Sequence, residues 1–195
     1  MPDEPAPKAS GRAWLERGAV VAGAVLIAVL VRTFAFQTFW IPSESMETTL
    51  LVGDRVLVNK LAYRMGDVHE GDVVVFHRPA ALPSSGPGAL IKRVIAVGGQ
   101  TVSIRDGVVV VDGEQLDEPY THGEPTTAEV GCPIVPPTEG IGTADGFEVP
   151  TGTVLVLGDN RTHSADGRCF GPIDEDTIIG RAEAVFWPPD RAGGL

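Results

Sequence analysis

Residues 89–114 read ALIKRVIAVGGQTVSIRDGVVVVDGE, and this stretch carries the pattern that decides the fold. Runs rich in Val and Ile are separated by the pairs Gly98-Gly99 and Asp106-Gly107, both of which favour tight turns. Short β-branched runs bounded by turn residues are typical of strands, and two such runs around an Asp-Gly pair predict a β-hairpin. The stretch therefore predicts antiparallel β-structure.

The same pattern recurs along the chain, while no long helical period follows residue 50. Strands are predicted over residues 55–61, 72–77, 90–97, 101–105, 108–111, 153–157 and 178–186. Between residues 121 and 146, 14 of the 26 residues are Gly, Pro or Thr, which is typical of irregular structure. We therefore predict a mainly β body. In it, an irregular insertion over about residues 106–146 forms a peripheral lobe beside a catalytic core (about 40–105 and 147–187).

An apolar segment, GAVVAGAVLIAVLV, occupies residues 18–31. At about 1.5 Å per residue it spans roughly 21 Å, and apolar and aromatic flanks lengthen it. We predict one transmembrane helix over residues 15–36, a cytoplasmic tail over 1–14, and an extracytoplasmic catalytic domain over 37–195. The basic residues ahead of the span favour this orientation. A cleavable signal peptide is the alternative, but Arg32 interrupts the position where its cleavage site would lie.

The charge of the chain excludes several classes of partner. The formal net charge is −11, and residues 43–195 hold 11 basic and 23 acidic side chains. Such an acidic body argues against binding to nucleic acid or to an anionic membrane surface. The four histidines are scattered without metal-ligand spacing, so we predict no metal site and no cofactor. Cys132 and Cys169 could form one disulfide outside the cytoplasm or remain two free thiols.

Two side chains are candidates for nucleophilic catalysis. Lys92 lies inside an apolar run, where desolvation would lower its pKa and let it act as a general base; alternatively, its ammonium reaches water at a strand edge. Ser45 lies in IPSESMETTL beyond the apolar segment, where it is either a nucleophile or a helix N-cap. A triad drawn from His163, Ser164 and a nearby Asp is less favoured, because triads gather residues from separate segments.

Four segments, taken together, indicate a family. They are IPSESMETTLLVGDRVLV, GDVVVFHRP, LIKRVIAVGGQTV and GDNRTHSADGRCFGPI, in this order behind the apolar segment. They resemble the conserved boxes of bacterial type I signal peptidases, and the resemblance covers most of residues 17–187. It implies the mostly β signal-peptidase fold and a Ser/Lys dyad.

The resemblance also assigns roles by position. Ser45 looks like the nucleophile and Lys92 like its general base. Ser43 resembles the serine that joins the Ser45 N–H in the oxyanion hole, and Ser164 resembles the serine that hydrogen-bonds and orients the base. Charged residues that match the family's structural positions near the site are Asp159, Asp166 and Arg168. Positions that match the walls of shallow apolar substrate pockets are Phe39, Ile41, Pro42, Leu50, Leu90 and Ile91.

Some positions depart from the family pattern. Thr48 stands where proline is usual, Gln100 where aspartate is common, Thr162-His163 where an Asp-Asn pair is common, and Gly167 where a serine is common. None of them removes a residue with an assigned role.

The implied function is that of a plasma-membrane serine endopeptidase. Such an enzyme removes N-terminal signal peptides from exported pre-proteins, cutting after small residues through an acyl-enzyme on Ser45. A soluble self-cleaving regulator and a membrane-tethered binding domain without the chemistry are the alternatives.

Overall fold

A computed structural model of the chain describes residues 11–128, 132, 138–143 and 145–195. Within these residues there are three α-helices: α1 Gly11–Phe34, α2 Ala62–Met65 and α3 Gly167–Phe170. The strands, in chain order from β1 to β12, are Phe36–Trp40, Arg55–Asn59, Val73–His77, Ala89–Val97, Thr101–Arg105, Val108–Val111, Glu114–Gln115, Phe147–Glu148, Thr153–Leu157, Ile173–Asp174, Ile178–Trp187 and Gly193–Gly194. Short 3-10 helices occupy Pro119–Thr121, Glu175–Thr177 and Pro189–Arg191.

The prediction of a mainly β body is confirmed. Each of the seven predicted strands lies within two residues of an observed strand at both ends. The larger sheet has the order β1-β2-β11-β3-β4-β9-β10, with β12 paired to β11, and the smaller has the order β7-β6-β5-β8. Strands β5 and β6 pair around Asp106 and Gly107, which both adopt positive φ, as the predicted hairpin requires.

Strand β4 lies in the interior of the larger sheet. It pairs antiparallel with β3 on one side and with β9 on the other. Its valine and isoleucine side chains enter three different core clusters, since Ile91, Val94 and Ile95 each pack in a separate one. A strand held on both edges and buried on both faces is a rigid place from which to present a polar side chain.

Strand β1 was not predicted as a strand, because its residues follow the apolar segment directly. It pairs in full with β2, from Phe36 opposite Asn59 to Trp40 opposite Arg55. Helix α1 therefore ends at Phe34, and the last residue of the predicted span, Phe36, belongs to the sheet. The buried Ala35 lies at the junction, where its carbonyl accepts a hydrogen bond of 2.8 Å from the Lys60 N–H.

Helix α1 has 24 residues and exposes apolar side chains such as Leu15, Val20 and Ile27, each more than half accessible. Among the described residues, no helix combines the length and the hydropathy that crossing a membrane requires. The predicted membrane span over residues 15–36 is therefore not confirmed. Most of the predicted tail over residues 1–14 lies outside the described residues.

The junction at Ala35 predicts where the chain can be shortened. A chain that begins at Ala35 keeps β1 and should melt cooperatively. A chain that begins at Ile41 loses β1 and uncovers β2, and we expect its Tm to fall by roughly 10 °C, at about 2–4 °C per kcal/mol of lost stability. Circular dichroism melts of both chains measure this. Equal Tm values for the two chains would mean that β1 contributes nothing to the fold.

Candidate active site

The structure brings together two side chains that lie 47 residues apart in the chain. Lys92 Nζ, on β4, donates a hydrogen bond of 2.7 Å to Ser45 Oγ and another of 2.8 Å to the carbonyl of Ile91. Lys92 is 3% exposed and Ser45 is 9% exposed. The alternative in which Lys92 reaches water at a strand edge is wrong, because β4 lies inside the sheet.

Ser45 is held by the residues around it. It lies in a turn after β1, and the side chains of Ile41, Met46 and Leu50, on either side, are fully buried in one core cluster. The Leu50 N–H donates to the Met46 carbonyl at 2.8 Å, which closes the turn. Three apolar anchors within ten residues thus fix the serine opposite β4.

Burial changes the acidity of Lys92. Removal of the ammonium from water lowers the pKa of Lys92 to about 8, even though the carboxylates of Asp166 and Asp159 act in the opposite direction. The positive charge of Arg168 adds to the lowering. A lysine with this pKa is neutral in a sizeable fraction of molecules near neutral pH, so its amine can accept a proton from Ser45.

Both acidic neighbours of Lys92, Asp159 and Asp166, are paired with arginines. Asp159 receives two hydrogen bonds from Arg93, at 2.9 and 2.7 Å. Asp166 receives two from the Arg168 guanidinium, at 2.9 and 2.8 Å, and one of 3.0 Å from the Gly158 N–H. Burial acts to raise the pKa of Asp166, but the Arg168 hydrogen bonds and charge bring it below its usual range. Each of the two carboxylates is thus paired with a guanidinium.

The other two predicted serines differ in their placement. Ser43 is exposed, and its hydroxyl lies 3.4 Å from Ser45 Oγ. Ser164 Oγ is buried and has no hydrogen-bond partner of ordinary geometry among the described residues, although it helps to lower the pKa of Asp166. The hydrogen bond from Ser164 to Lys92 that the resemblance implies is therefore not formed, because the Lys92 ammonium is directed to Ser45 and to the Ile91 carbonyl.

The segment 158–164 packs directly on the nucleophile turn. Asn160 donates from its backbone to the Ser45 carbonyl at 3.3 Å and from its side chain to the Glu44 carbonyl at 3.1 Å. Gly158 lies between the two serines: a Cβ at this position would be 2.2 Å from Ser164 Oγ and 2.4 Å from the Ser45 carbonyl oxygen. Only glycine fits at this position.

Sequence reasoning missed a set of contacts that the segment at the Pro119–Thr121 helix makes with arginines near the site. The Tyr120 ring lies under the Arg93 guanidinium, whose Cζ is 4.0 Å from the centroid of the ring. The Tyr120 hydroxyl donates a hydrogen bond of 3.1 Å to Glu118. Glu118 in turn forms an ion pair with the fully buried Arg161, which donates to the Gly158 carbonyl at 2.9 Å. The Glu-Pro-Tyr segment offered no local signal, since its partners are distant in the sequence.

A small apolar pocket of about 50 Å³ opens beside Ser45 and Lys92. Five of the six residues predicted to shape substrate pockets line it: Phe39, Ile41, Pro42, Leu90 and Ile91. The sixth, Leu50, is buried in the core beneath the nucleophile turn and lines neither described pocket that opens at Ser45. Val75 also lines the pocket, as the cross-strand neighbour of Ile91.

The alternative Ser/His/Asp triad is not assembled. His163 Nδ1 lies 2.9 Å from the hydroxyl of its neighbour Thr162, in an exposed position. Ser164, the serine of that triad, has no hydrogen-bond partner among the described residues. The arrangement therefore leaves Ser45 and Lys92 as the nucleophile and base that the geometry supports.

Comparison with known proteins identifies the family. The family model described as "Signal peptidase, peptidase S26" matches residues 14–187. The signal peptidase I of Leptolyngbya laminosa is 40% identical, over 88% of this chain and 78% of that protein. The signal peptidase I of Mycobacterium tuberculosis is 39% identical, over 98% of this chain and 78% of that protein. The chain belongs to the S26 signal peptidase family. It is accordingly a hydrolase that cleaves peptide bonds.

A solved signal peptidase I from Enterococcus faecalis V583 also matches. It is 27% identical and covers 60% of this chain and 97% of its own, with a TM-score of 0.44.

One departure from the S26 pattern has a steric explanation. Gly167 stands where a serine is common, and a Cβ here would lie 2.7 Å from the Val156 carbonyl oxygen and 2.8 Å from a Leu155 methyl. The Gly167 carbonyl accepts a hydrogen bond of 2.5 Å from Thr138. In this S26 peptidase α3 is therefore packed more closely on β9 than a side chain at position 167 would allow.

The two cysteines of this S26 peptidase form a disulfide, with their Cα atoms 5.6 Å apart. It joins Cys169, on α3, to Cys132, 37 residues earlier. Of the two possibilities left open by the sequence, the bridged one is observed. Since Asp166 and Arg168 lie in the same turn as Cys169, the bridge ties Cys132 to the charged residues next to Lys92.

The contact at Gly158 predicts the effect of a single methyl group. Gly158→Ala should displace Ser45 or Ser164 and lower kcat/KM by about 100-fold, the loss expected for a misplacement of about 1 Å. Cleavage assays on the purified variant measure this. Gly193→Ala is the matched control, because the added methyl meets no described atom within 4 Å, and it should keep normal activity. Normal turnover by Gly158→Ala would disprove the steric argument.

Proposed function

We propose that the chain is a membrane-bound serine endopeptidase that removes N-terminal signal peptides from exported pre-proteins, with Ser45 as nucleophile and Lys92 as general base. The observation that supports this most strongly is the 2.7 Å contact between Lys92 Nζ and Ser45 Oγ at a buried site. The names of the relatives, signal peptidase I, support the same substrate class.

The first half of the reaction forms an ester. The neutral Lys92 amine takes the proton of Ser45 Oγ, and the oxygen attacks the carbonyl carbon of the scissile bond. The Ser45 N–H and the Ser43 hydroxyl donate to the oxyanion of the tetrahedral intermediate. When the intermediate collapses, the C–N bond breaks and the Lys92 ammonium returns its proton to the departing amine. The mature protein leaves with a free N-terminus.

The second half hydrolyses the ester. Lys92, again neutral, takes a proton from a water molecule that attacks the acyl carbon. Collapse of the second intermediate breaks the bond to Ser45 Oγ, which regains its proton from Lys92, and the signal peptide leaves with a carboxylate. Every proton transfer uses the same amine, so a pKa near the working pH suits both halves.

The small pocket supports cleavage after small residues. Its volume of about 50 Å³ suits a methyl or hydroxymethyl side chain, since a cavity needs about 10–15 Å³ of such volume to hold one water molecule. The walls are largely apolar; among them Val75 belongs to β3, Leu90 and Ile91 belong to β4, and Ile41 follows β1. A side chain much larger than that of alanine would have to displace this framework.

The exposed apolar surface supports attachment to a membrane. Helix α1 presents apolar side chains along its described length, and Trp40 and Trp187 are 60% and 51% exposed. Both tryptophans are cross-strand neighbours of Arg55, so they lie in one row across β1, β2 and β11. Tryptophan favours the interface between lipid and water. We place the catalytic domain outside the cytoplasm, where a disulfide persists.

The proposed chemistry predicts the pH dependence of cleavage. The cleavage rate of a pre-protein should rise with pH as Lys92 loses its proton, with an apparent pKa of about 8, and level off above it. Ser45→Ala and Lys92→Ala should be inactive. Lys92→Arg should be equally inactive, because a guanidinium keeps its proton at any accessible pH. Initial rates of mature-protein release at several pH values measure this.

Lys60→Arg is the matched control, since it makes the same substitution outside the site and should keep both the rate and the pH profile. Near-normal turnover by Lys92→Arg would show that position 92 supplies only a positive charge. Retained activity in Ser45→Ala would remove the serine from the chemistry altogether.

Attachment to lipid is tested by flotation. The full chain should float with phosphatidylcholine vesicles in a density gradient, and a chain that begins at Ala35 should bind them much more weakly. Trp187→Ser should weaken the residual binding of the short chain further, because it removes one of the exposed rings. If the full chain stays in the bottom fractions with vesicles present, the membrane-bound part of the proposal fails.

A further inference from the structure

A second pocket opens on the same serine and lysine. It has a volume of about 370 Å³, against about 50 Å³ for the small pocket, and the two share a border formed by Ser43, Ser45, Pro87, Leu90 and Lys92. Seven residues line the larger pocket alone: Arg78, Leu82, Pro83, Cys132, His163, Ala165 and Cys169. The reacting atoms thus lie between two cavities of very different size.

Fixed elements form the two walls of the larger pocket. On one wall, Arg78 donates to the carbonyls of Pro83 and Pro87, at 2.7 and 3.2 Å, and so holds the loop that carries Leu82. On the opposite wall, the Cys132–Cys169 disulfide lies beside His163 and Ala165. An internally bonded loop and a disulfide therefore both border the cavity.

The chemistry of these walls favours an apolar occupant. The guanidinium of Arg78 is directed to its own loop, and His163 Nδ1 lies within hydrogen-bond distance of the Thr162 hydroxyl. Apart from Ser43, Ser45 and Lys92 at the border with the small pocket, the remaining lining is apolar and comes from Leu82, Pro83, Pro87, Leu90, Ala165 and the two bridged cysteines. Such a surface gains free energy by covering an aliphatic or aromatic side chain, at about 25 cal/mol per Å² buried.

We infer that the larger pocket is a specificity subsite for a bulky apolar side chain of the substrate, located just after the scissile bond. The inference rests on the proposed function. A polypeptide attacked by Ser45 must extend past it in both directions, so each pocket can take one side of the bond. If the residue before the bond is small and fills the small pocket, the leaving side meets the larger one.

The test uses the full chain in detergent and two series of peptides. In the first series alanine precedes the bond, and alanine, leucine or phenylalanine follows it. In the second series the following residue is constant, and glycine, alanine or valine precedes the bond. Ala165→Phe fills the larger pocket, so kcat/KM for the peptide with phenylalanine after the bond should fall by about tenfold relative to alanine. Preferences in the second series should not change.

Leu82→Ala acts on the opposite wall and should raise the relative kcat/KM for phenylalanine after the bond. This variant decides the matter if Ala165→Phe does not fold. Ala81→Phe is the matched control, because it adds the same ring to the same loop at an exposed position that lines neither pocket, and both series should stay as in the unmodified enzyme.

Unchanged preferences after the bond in the folded variants would overturn the inference. A change in the second series alone would also overturn it, because the pocket would then hold the residue before the bond. Failure of the proposed function gives a different result, since the unmodified enzyme would then cleave no peptide of either series.

Discussion

The site depends on keeping the ammonium of Lys92 out of water without leaving it beside an unpaired carboxylate. Burial lowers the pKa of Lys92 to about 8, which corresponds to about 3 kcal/mol in favour of the neutral amine. An unpaired carboxylate within about 4 Å would cancel this, since opposite charges at that distance attract by about 4 kcal/mol near a protein surface. Asp159 and Asp166 act against this lowering, and each of them is paired with a guanidinium, Asp159 with Arg93 and Asp166 with Arg168.

This constraint accounts for much of the architecture outside the site. Arg93 follows Lys92 on β4, so the strand that carries the base also carries the cation that neutralises Asp159. The Tyr120 ring lies against the Arg93 guanidinium, and Tyr120 belongs to a segment far from the site in the chain. The connection after β7 thus does more than enlarge the molecule, because the Tyr120 ring and the Thr127 carbonyl contact the guanidinium groups of Arg93 and Arg168.

The sequence predicted the longer strands of the fold and, within the site, the pairing of Ser45 with Lys92. Short runs rich in β-branched residues, separated by turn residues such as Gly98-Gly99 and Asp106-Gly107, located seven strands. Strand β1 was missed because it continues an apolar segment, and the two-residue strands are defined only by their partners. Taken separately, Ser45 and Lys92 were weak candidates for a nucleophile and a general base. Only the resemblance to type I signal peptidases predicted that they act as a pair. The predicted hydrogen bond between Ser164 and Lys92 is not formed, since the direction of a side chain within a tight loop follows from packing that a motif does not specify.

The order of elements along the chain also limits where the proposed enzyme can cut. Ser45 lies 11 positions after the end of α1 at Phe34, and five of the ten residues between them form β1. An extended chain advances at most about 3.6 Å per residue, so Ser45 lies within about 40 Å of the end of the helix. If α1 and the tryptophan row contact lipid, the nucleophile is held at a short and nearly fixed height above the membrane surface. A substrate anchored by its own apolar segment would then present its bond at the same height, so selection would begin with geometry, before the small pocket excludes large side chains.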